Sequence, residues 1–172
     1  MMCLLGFQFL QAQKTLTPSE ADSKVHFVIR NFGIKTGGDL SGLKGIIRID
    51  LARVADWSFD VTVNATTINT SNNTRDNHLR KTDYFDVTRF PLIRIKSTKI
   101  TTTDKPGWYL FNGDLTIKDI TKPISFLFRV NKWGEGYQFA GEFTMNRLDF
   151  GVGESSISLA DNLKVSLSVF AK

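Results

Sequence analysis

The sequence predicts an all-β fold, an antiparallel up-and-down barrel of about eight strands with one short helical lid near residues 73–81. Apolar and polar residues alternate along most of the chain, which is the period of strands that bury one face. Short segments rich in Gly, Pro, Asn and Asp separate these stretches, as expected where tight turns join neighbouring strands. A two-sheet sandwich fits the same pattern, and closure of the sheet favours the barrel.

The composition fits a single domain over residues 14–172 of this 172-residue chain, with no linker-like segment dividing it. The formal net charge is +5, but Lys and Arg are scattered, so the sequence does not predict nucleic-acid binding. A basic surface favours anionic partners and is compatible with transient contact with a membrane surface. The sequence is also compatible with a homodimer. The single cysteine, Cys3, excludes an intramolecular disulfide and a thiolate metal cluster.

The N-terminal segment 1–13 has no charge and is almost entirely apolar up to residue 10. It resembles the apolar stretch of a secretory signal that ends near Ala12 or Gln13, although the positive stretch that precedes it in a full signal is missing. Either the start lies inside a longer signal, or the segment is an ordinary apolar tail. We expect a partial signal peptide at 1–13, and hence a periplasmic or secreted protein.

The first three strands are predicted at 24–32, 45–51 and 57–64, where the alternation is regular. In the first of them Val25, Phe27 and Ile29 share one face. The segment 34–43 contains several glycines and is expected to form a loop or a bulge.

The predicted lid follows the third strand. Asn72 and Asn73 are favourable N-cap residues, and 74–81 supplies about two helical turns. The aromatic residues after the helix precede Pro91, which fixes the backbone where the next strand begins. The remaining strands are predicted at 93–98, 109–117, 124–130, 137–145 and 164–169, with a second irregular stretch at 146–156.

The inward-facing set of the predicted barrel is rich in Phe, and two interpretations of this pattern stay open. Eight strands enclose an interior that side chains fill completely or leave partly empty for one elongated ligand. Composition does not distinguish an aromatic core from an aromatic pocket. The pattern alone therefore supports a solid-core barrel, acting as an interaction or stress-response module, as well as it supports a ligand carrier.

Arg75, Asp76 and His78 resemble catalytic residues, because His and Asp can share a proton and Arg can hold an oxyanion. A structural role is the stronger interpretation, since Asp76 near a helix start complements the helix dipole and the arginines can pair with nearby carboxylates. The sequence has no recognisable nucleophile motif, and only His26 and His78 offer imidazoles to a metal. We predict neither an enzyme nor a metal site.

Three groups of residues carry a resemblance that extends from about Ser23 to Phe170. The first is an Arg-Asp-x-His-Leu motif followed by an aromatic–Asp pair and Phe-Pro. The others are Gly-Asp-Leu-Thr-Ile with Thr-Lys-Pro, and Arg-x-Asp-Phe-Gly. In this chain they comprise Arg75, Asp76, His78, Leu79, Phe85, Asp86, Phe90 and Pro91, then 113–117 with 121–123, and Arg147, Asp149, Phe150 and Gly151. Together they are specific, and the sequence resembles the YceI-like family of bacterial lipid-binding proteins.

The resemblance implies a lipocalin-like barrel that binds and carries or stores a long apolar amphiphile, such as a polyisoprenoid, an isoprenoid quinone or a fatty-acid-like lipid. It implies no cofactor other than such a bound lipid. The residues expected to form the pocket wall are Phe27, Ile29, Phe59, Phe85, Phe90, Phe111, Phe126, Phe128 and Phe143. Arg75, His78 and Arg147 are expected to meet a polar head group near the mouth. This chain departs from the family pattern at Asn31, Leu40 and Leu43.

Overall fold

The structure, a computed structural model, describes residues 13–172. Except for Gln13, the predicted signal segment 1–13 lies outside the described residues. Nine strands and one α-helix form most of the domain. The strands are β1 Lys14–Leu16, β2 Lys24–Asn31, β3 Ile34–Ile49, β4 Ser58–Asn69, β5 Leu92–Thr102, β6 Trp108–Ile117, β7 Ile120–Trp133, β8 Gly136–Asn146 and β9 Leu159–Ala171, and the helix is α1 Asn73–Leu79. Two short 3-10 turns occupy Val54–Asp56 and Arg147–Phe150.

The eight strands β2 to β9 close into an antiparallel up-and-down barrel. Each strand pairs with its neighbour in the sequence, and β2 pairs with β9 to complete the circle. This closure removes the free edges that an open sheet would leave. The short strand β1 adds to the outside of the closed sheet by pairing with β3. The predicted barrel and the helical lid are confirmed, and β1 is the addition.

The glycine-rich segment 34–43 is part of β3, and the expectation of a loop was wrong. Its residues pair with β2 in continuous register, from Ile34 opposite Asn31 to Leu40 opposite Val25. The expected irregularity appears only on the other side of the strand, where the register with β4 shifts on both sides of Ser41. Gly45 has a φ of 139°, and a Cβ there would lie 2.2 Å from the Asp60 carbonyl oxygen. Glycine therefore lets β3 bend against β4 without leaving the sheet.

The two ends of the barrel differ. The end that we call the lid end carries the β2–β3 turn, the segment 70–91 with α1, the turn at 118–119 and the β8–β9 connection at 147–158. The other, which we call the base end, carries the connections at 50–57, 103–107 and 134–135. No helix within residues 13–172 is long and apolar enough to cross a membrane.

Candidate functional site

Aromatic side chains fill the barrel interior toward the base end. Phe59 lies at their centre, with its ring 5.5 Å from that of Phe128 and 5.4 Å from that of Phe139, both in edge-to-face contact. Phe111 stacks on Phe126 at 4.8 Å. Such pairs add to the stability that burial of each ring already gives. We call this set the aromatic base: Trp57, Phe59, Tyr109, Phe111, Phe126, Phe128 and Phe139.

The lid half of the same interior holds an apolar cavity of about 410 Å³. Eight of the inward-facing side chains around it are only partly buried, although they point away from the outer surface of the barrel. Their exposed area faces the cavity, whereas the side chains of the aromatic base other than Tyr109 are almost completely buried. These half-buried wall residues are Phe27, Ile29, Leu40, Val61, Ile93, Ile95, Val165 and Leu167. The volume lies in the range of pockets that bind small molecules.

The lid is attached to the barrel by polar contacts at the start of α1. The Asn72 side chain caps the helix by accepting from the Arg75 backbone N–H. Asp76 is buried, and its Oδ1 accepts from the backbone N–H of Thr70 at 2.9 Å and from the Thr70 hydroxyl. Arg75 donates from Nε and Nη2 to Thr70 Oγ1 and to the Thr70 carbonyl. The Arg-Asp pair of the motif therefore fixes where the lid leaves β4.

Arg147 organises the β8–β9 connection on the other side of the mouth. Its guanidinium is 3% exposed and donates from all three nitrogens. Nε donates to the Ala160 carbonyl, Nη1 to the Val152 carbonyl and Nη2 to the Glu154 carbonyl, at 2.7 to 3.0 Å. Nη2 also bridges to the Asp161 carboxylate at 3.1 Å. Although Arg147 borders the cavity, its donors are committed to this loop.

The β8–β9 connection also contacts the lid directly. The Gly153 N–H donates to the Asp83 carbonyl at 2.8 Å. Gly153 has a φ of 69°, and a Cβ there would lie 2.7 Å from the Tyr84 ring, so glycine is required at this contact. Lys118 joins the same two segments by donating to the Gly151 and Thr82 carbonyls. The lid and the loop thus form one continuous rim.

Polar groups border the cavity near this rim. Nε and Nη2 of Arg75 donate to Thr70, whereas Nη1 has no hydrogen-bond partner among residues 13–172. The His78 ring lies 4.8 Å from the Tyr84 ring and makes no side-chain hydrogen bond within the described chain. Asn31, Ser156 and Ser158 border the same end. An amphiphile with its tail in the cavity would meet donors and acceptors here.

The structure places some of the residues predicted for the site at the cavity and others away from it. Phe27, Ile29, Phe85 and Phe143 line the cavity, as do Arg75, His78 and Arg147. Their roles toward a ligand remain predictions.

Five of the predicted wall residues do not line the cavity. Phe59, Phe111, Phe126 and Phe128 belong to the aromatic base, because they lie nearer the base end on their strands. Phe126 stacks on Phe143 at 5.1 Å and so lies one layer behind the wall. Phe90 packs under the Arg89 guanidinium at 4.9 Å, on the segment that follows the lid.

Most of the wall consists of aliphatic residues that the sequence analysis does not assign to the site. Alternation identified Val61, Ile95 and Leu167 as inward-facing. It does not show the level along the barrel axis at which each residue lies, which decides between base and cavity. The three positions that depart from the family pattern, Asn31, Leu40 and Leu43, all line the cavity. They are candidates for residues that adapt the cavity to its ligand.

The groups that first suggested catalysis are arranged differently from a proton-sharing pair. Asp76 is buried and accepts hydrogen bonds from Thr70, while the His78 side chain is exposed. His26 pairs with Asp39 at 2.7 Å on the β2–β3 pair. Within residues 13–172 there is no group of three His, Cys, Asp or Glu side chains that could hold a metal ion.

Comparison with known proteins identifies relatives of this barrel. A UPF0312 protein of Shewanella denitrificans is 29% identical over 160 residues, which is 87% of this chain and 81% of the relative. BcnA of Burkholderia cenocepacia superposes with a TM-score of 0.85 at 22% identity, over 90% of this chain and 99% of BcnA. A polyisoprenoid binding domain from Saccharophagus degradans superposes with a TM-score of 0.72 at 11% identity, over 91% of this chain and 97% of that domain. The likeness to these two structures shows the fold.

The YceI-like domain matches residues 16–171, which include every strand of the closed barrel. The Arg75–Asp76 contacts with Thr70 and the Arg147 network give two of the quoted motifs a structural role around the mouth. This chain therefore belongs to the YceI-like domain family.

Proposed function

We propose that the protein binds a long apolar amphiphile in the cavity and carries or stores it. One observation supports this most directly: the inward-facing wall residues keep apolar surface exposed to an interior space, while the aromatic base below them is tightly packed. Burial of a tail contributes about 0.8 kcal/mol per methylene before ordering costs are subtracted. The tail therefore supplies most of the affinity.

The ligand class is a polyisoprenoid, an isoprenoid quinone or a fatty-acid-like lipid. A structural relative is a polyisoprenoid binding domain, which supports the first of these. The ligand enters tail first from the lid end, because the aromatic base fills the interior at the other end. Its head group then lies near His78 and Arg75 Nη1, which select a polar or anionic head.

We place this activity in the periplasm or outside the cell, in keeping with the signal-like segment at 1–13. A carrier of apolar molecules is useful in an aqueous compartment between membranes. The competing function is a ligand-free interaction module, for which a solid core would be enough. The packed aromatic base supplies such a core in half of the barrel, but the cavity in the other half has no role in that function.

The test is to express the chain behind a working secretion signal, purify it without detergent, extract it with organic solvent and identify bound molecules by mass spectrometry. We expect a stoichiometric isoprenoid, quinone or fatty amphiphile. A folded protein that yields no lipid and also rejects added lipids would contradict the proposal and favour the interaction module.

A further inference from the structure

The rim of the cavity carries large apolar side chains that are exposed. Phe32, at the tip of the β2–β3 hairpin, is 79% exposed, and Ile34 beside it is 71% exposed. Ile157, on the β8–β9 connection, is fully exposed. The Phe32 N–H donates to the Ser158 carbonyl at 2.6 Å, so the hairpin tip and the loop are joined at one place. We call these three residues the apolar rim.

The hairpin tip itself departs from the usual turn chemistry. Phe32 and Gly33 are the two turn residues, and both have positive φ values, of 49° and 75°. Such turns strongly favour Asn or Asp before Gly, because a bulky side chain is strained at positive φ. This chain has an exposed aromatic ring at that position. A strained, exposed residue of this kind points to a function outside the fold of the hairpin.

The strands next to the tip carry positive charge. Arg30 and Lys35 are cross-strand neighbours, and both are exposed. Arg30 donates to the Gly33 carbonyl at 2.9 Å. Neither residue forms an ion pair with a carboxylate within residues 13–172. The facing loop 151–158 carries one acidic residue, Glu154, so the local balance at the tip is positive.

We infer that the apolar rim inserts into the surface of an anionic lipid bilayer, with Arg30 and Lys35 against the lipid head groups. An aromatic and two branched aliphatic side chains flanked by cations match the apolar boundary and the negative charge of such a surface. Phe32 also lines the cavity, so the rim adjoins the cavity mouth. A docked barrel would receive an apolar tail from the bilayer without exposing it to water. This transfer step rests on the proposed function, whereas docking itself does not.

Vesicle flotation with protein stripped of bound lipid tests the docking. The vesicles contain phosphatidylglycerol and phosphatidylcholine, or phosphatidylcholine alone. We expect the protein to float with the anionic vesicles and to bind them more weakly as salt rises. The variant Phe32→Asn/Ile34→Thr/Ile157→Ser should bind at least about tenfold more weakly. Asn is preferred at this turn position, so the hairpin should remain folded.

Two further variants separate the contribution of the positive charges from that of exposed aromatic residues in general. Arg30→Gln/Lys35→Gln should weaken binding to anionic vesicles about tenfold. Neither residue lines the cavity, so this variant should bind a soluble fluorescent fatty acid as the wild type does. The matched control is Trp133→Ser, which removes an aromatic residue that is 65% exposed at the base-end turn. We expect it to bind vesicles like the wild type.

Equal vesicle binding by the wild type and the rim variant, or no binding by the wild type, would overturn the inference. So would a dimer in sedimentation experiments that the rim variant converts to a monomer, because the rim would then be a contact between two copies of the chain. Loss of fatty-acid binding with vesicle binding retained would contradict the proposed function alone.

Discussion

At the scale of single residues, the charged side chains of the motif region divide into structural and ligand-facing groups. Asp76 and Arg147 are buried, and the chain itself provides hydrogen-bond partners for Asp76 Oδ1 and for all three Arg147 nitrogens. Arg75 uses two nitrogens on Thr70 and leaves the third facing the cavity end. The His78 ring lies 4.8 Å from the Tyr84 ring. In the function proposed above, selectivity toward a head group therefore rests on Arg75 and His78 more than on Arg147.

Asp76→Ala should destabilise the protein by about 1–3 kcal/mol, because it leaves the buried Thr70 N–H and hydroxyl without their acceptor. The measurement is the free energy of unfolding from chemical denaturation. The control is Asp83→Ala, which removes an exposed carboxylate from the same lid. Equal stability of the two variants would show that the Thr70 contacts do not hold the lid.

The roles of some single residues could not be predicted from the sequence. Arg147 looked like a head-group ligand because it is a motif arginine near the mouth. Its acceptors are carbonyls of residues 152–160, and their convergence on one guanidinium depends on the path of an irregular loop. Alternation does not describe such a path. By contrast, the N-cap role of Asn72 was predictable, since capping depends only on local sequence.

At the scale of elements, the pattern of alternating residues predicts which segments form paired strands. It does not predict where those strands are irregular. The long strand β3 continues through glycines that read as a loop, because its pairing with β2 holds the extended conformation. The face predicted for the first strand was correct, so Phe27 and Ile29 lie inside. The axial level was not predictable, because it depends on the stagger of the closed barrel. That stagger separates Phe126 in the base from Ile95 in the cavity wall.

One pair of elements carries a surface interaction with a defined pH dependence. Arg94 on β5 donates to Asp60 on β4 from Nε at 2.7 Å and from Nη2 at 2.5 Å. These hydrogen bonds, with the charge of Arg94, hold the pKa of Asp60 below its ordinary value of 3.8. Since the folded-state pKa is the lower one, the stabilisation is present above pH 3.8. It is lost as the pH falls through the folded-state value.

Asp60→Asn should therefore lower the free energy of unfolding by about 0.2–1 kcal/mol at neutral pH, the range of an exposed ion pair. The difference from the wild type should shrink as the solution is acidified below pH 3.8, where both states of the wild type become protonated. Denaturation curves at a series of pH values measure this. A difference that is constant with pH would mean that the carboxylate charge is not the cause.

At the scale of the whole molecule, one barrel contains two interiors. The aromatic base joins four of the eight barrel strands, β4, β6, β7 and β8, through ring contacts and stabilises the fold. The lid half is less tightly packed. Polar contacts between the lid and the β8–β9 connection hold its rim together. The interior is therefore packed in one half and open in the other. A ligand that fills the cavity should raise the melting temperature, because it binds only the folded state.

A calorimetric titration of stripped protein with a twenty-carbon isoprenoid alcohol tests whether the cavity of the lid half holds the apolar tail. Leu167→Trp places a large ring in the cavity from β9, and the matched Leu127→Trp places the same ring on the exposed outer face of β7. We expect one site in the wild type and in Leu127→Trp, and at least about tenfold weaker binding by folded Leu167→Trp, since the ring displaces buried methylenes. Equal affinity of the three folded proteins would contradict the assignment.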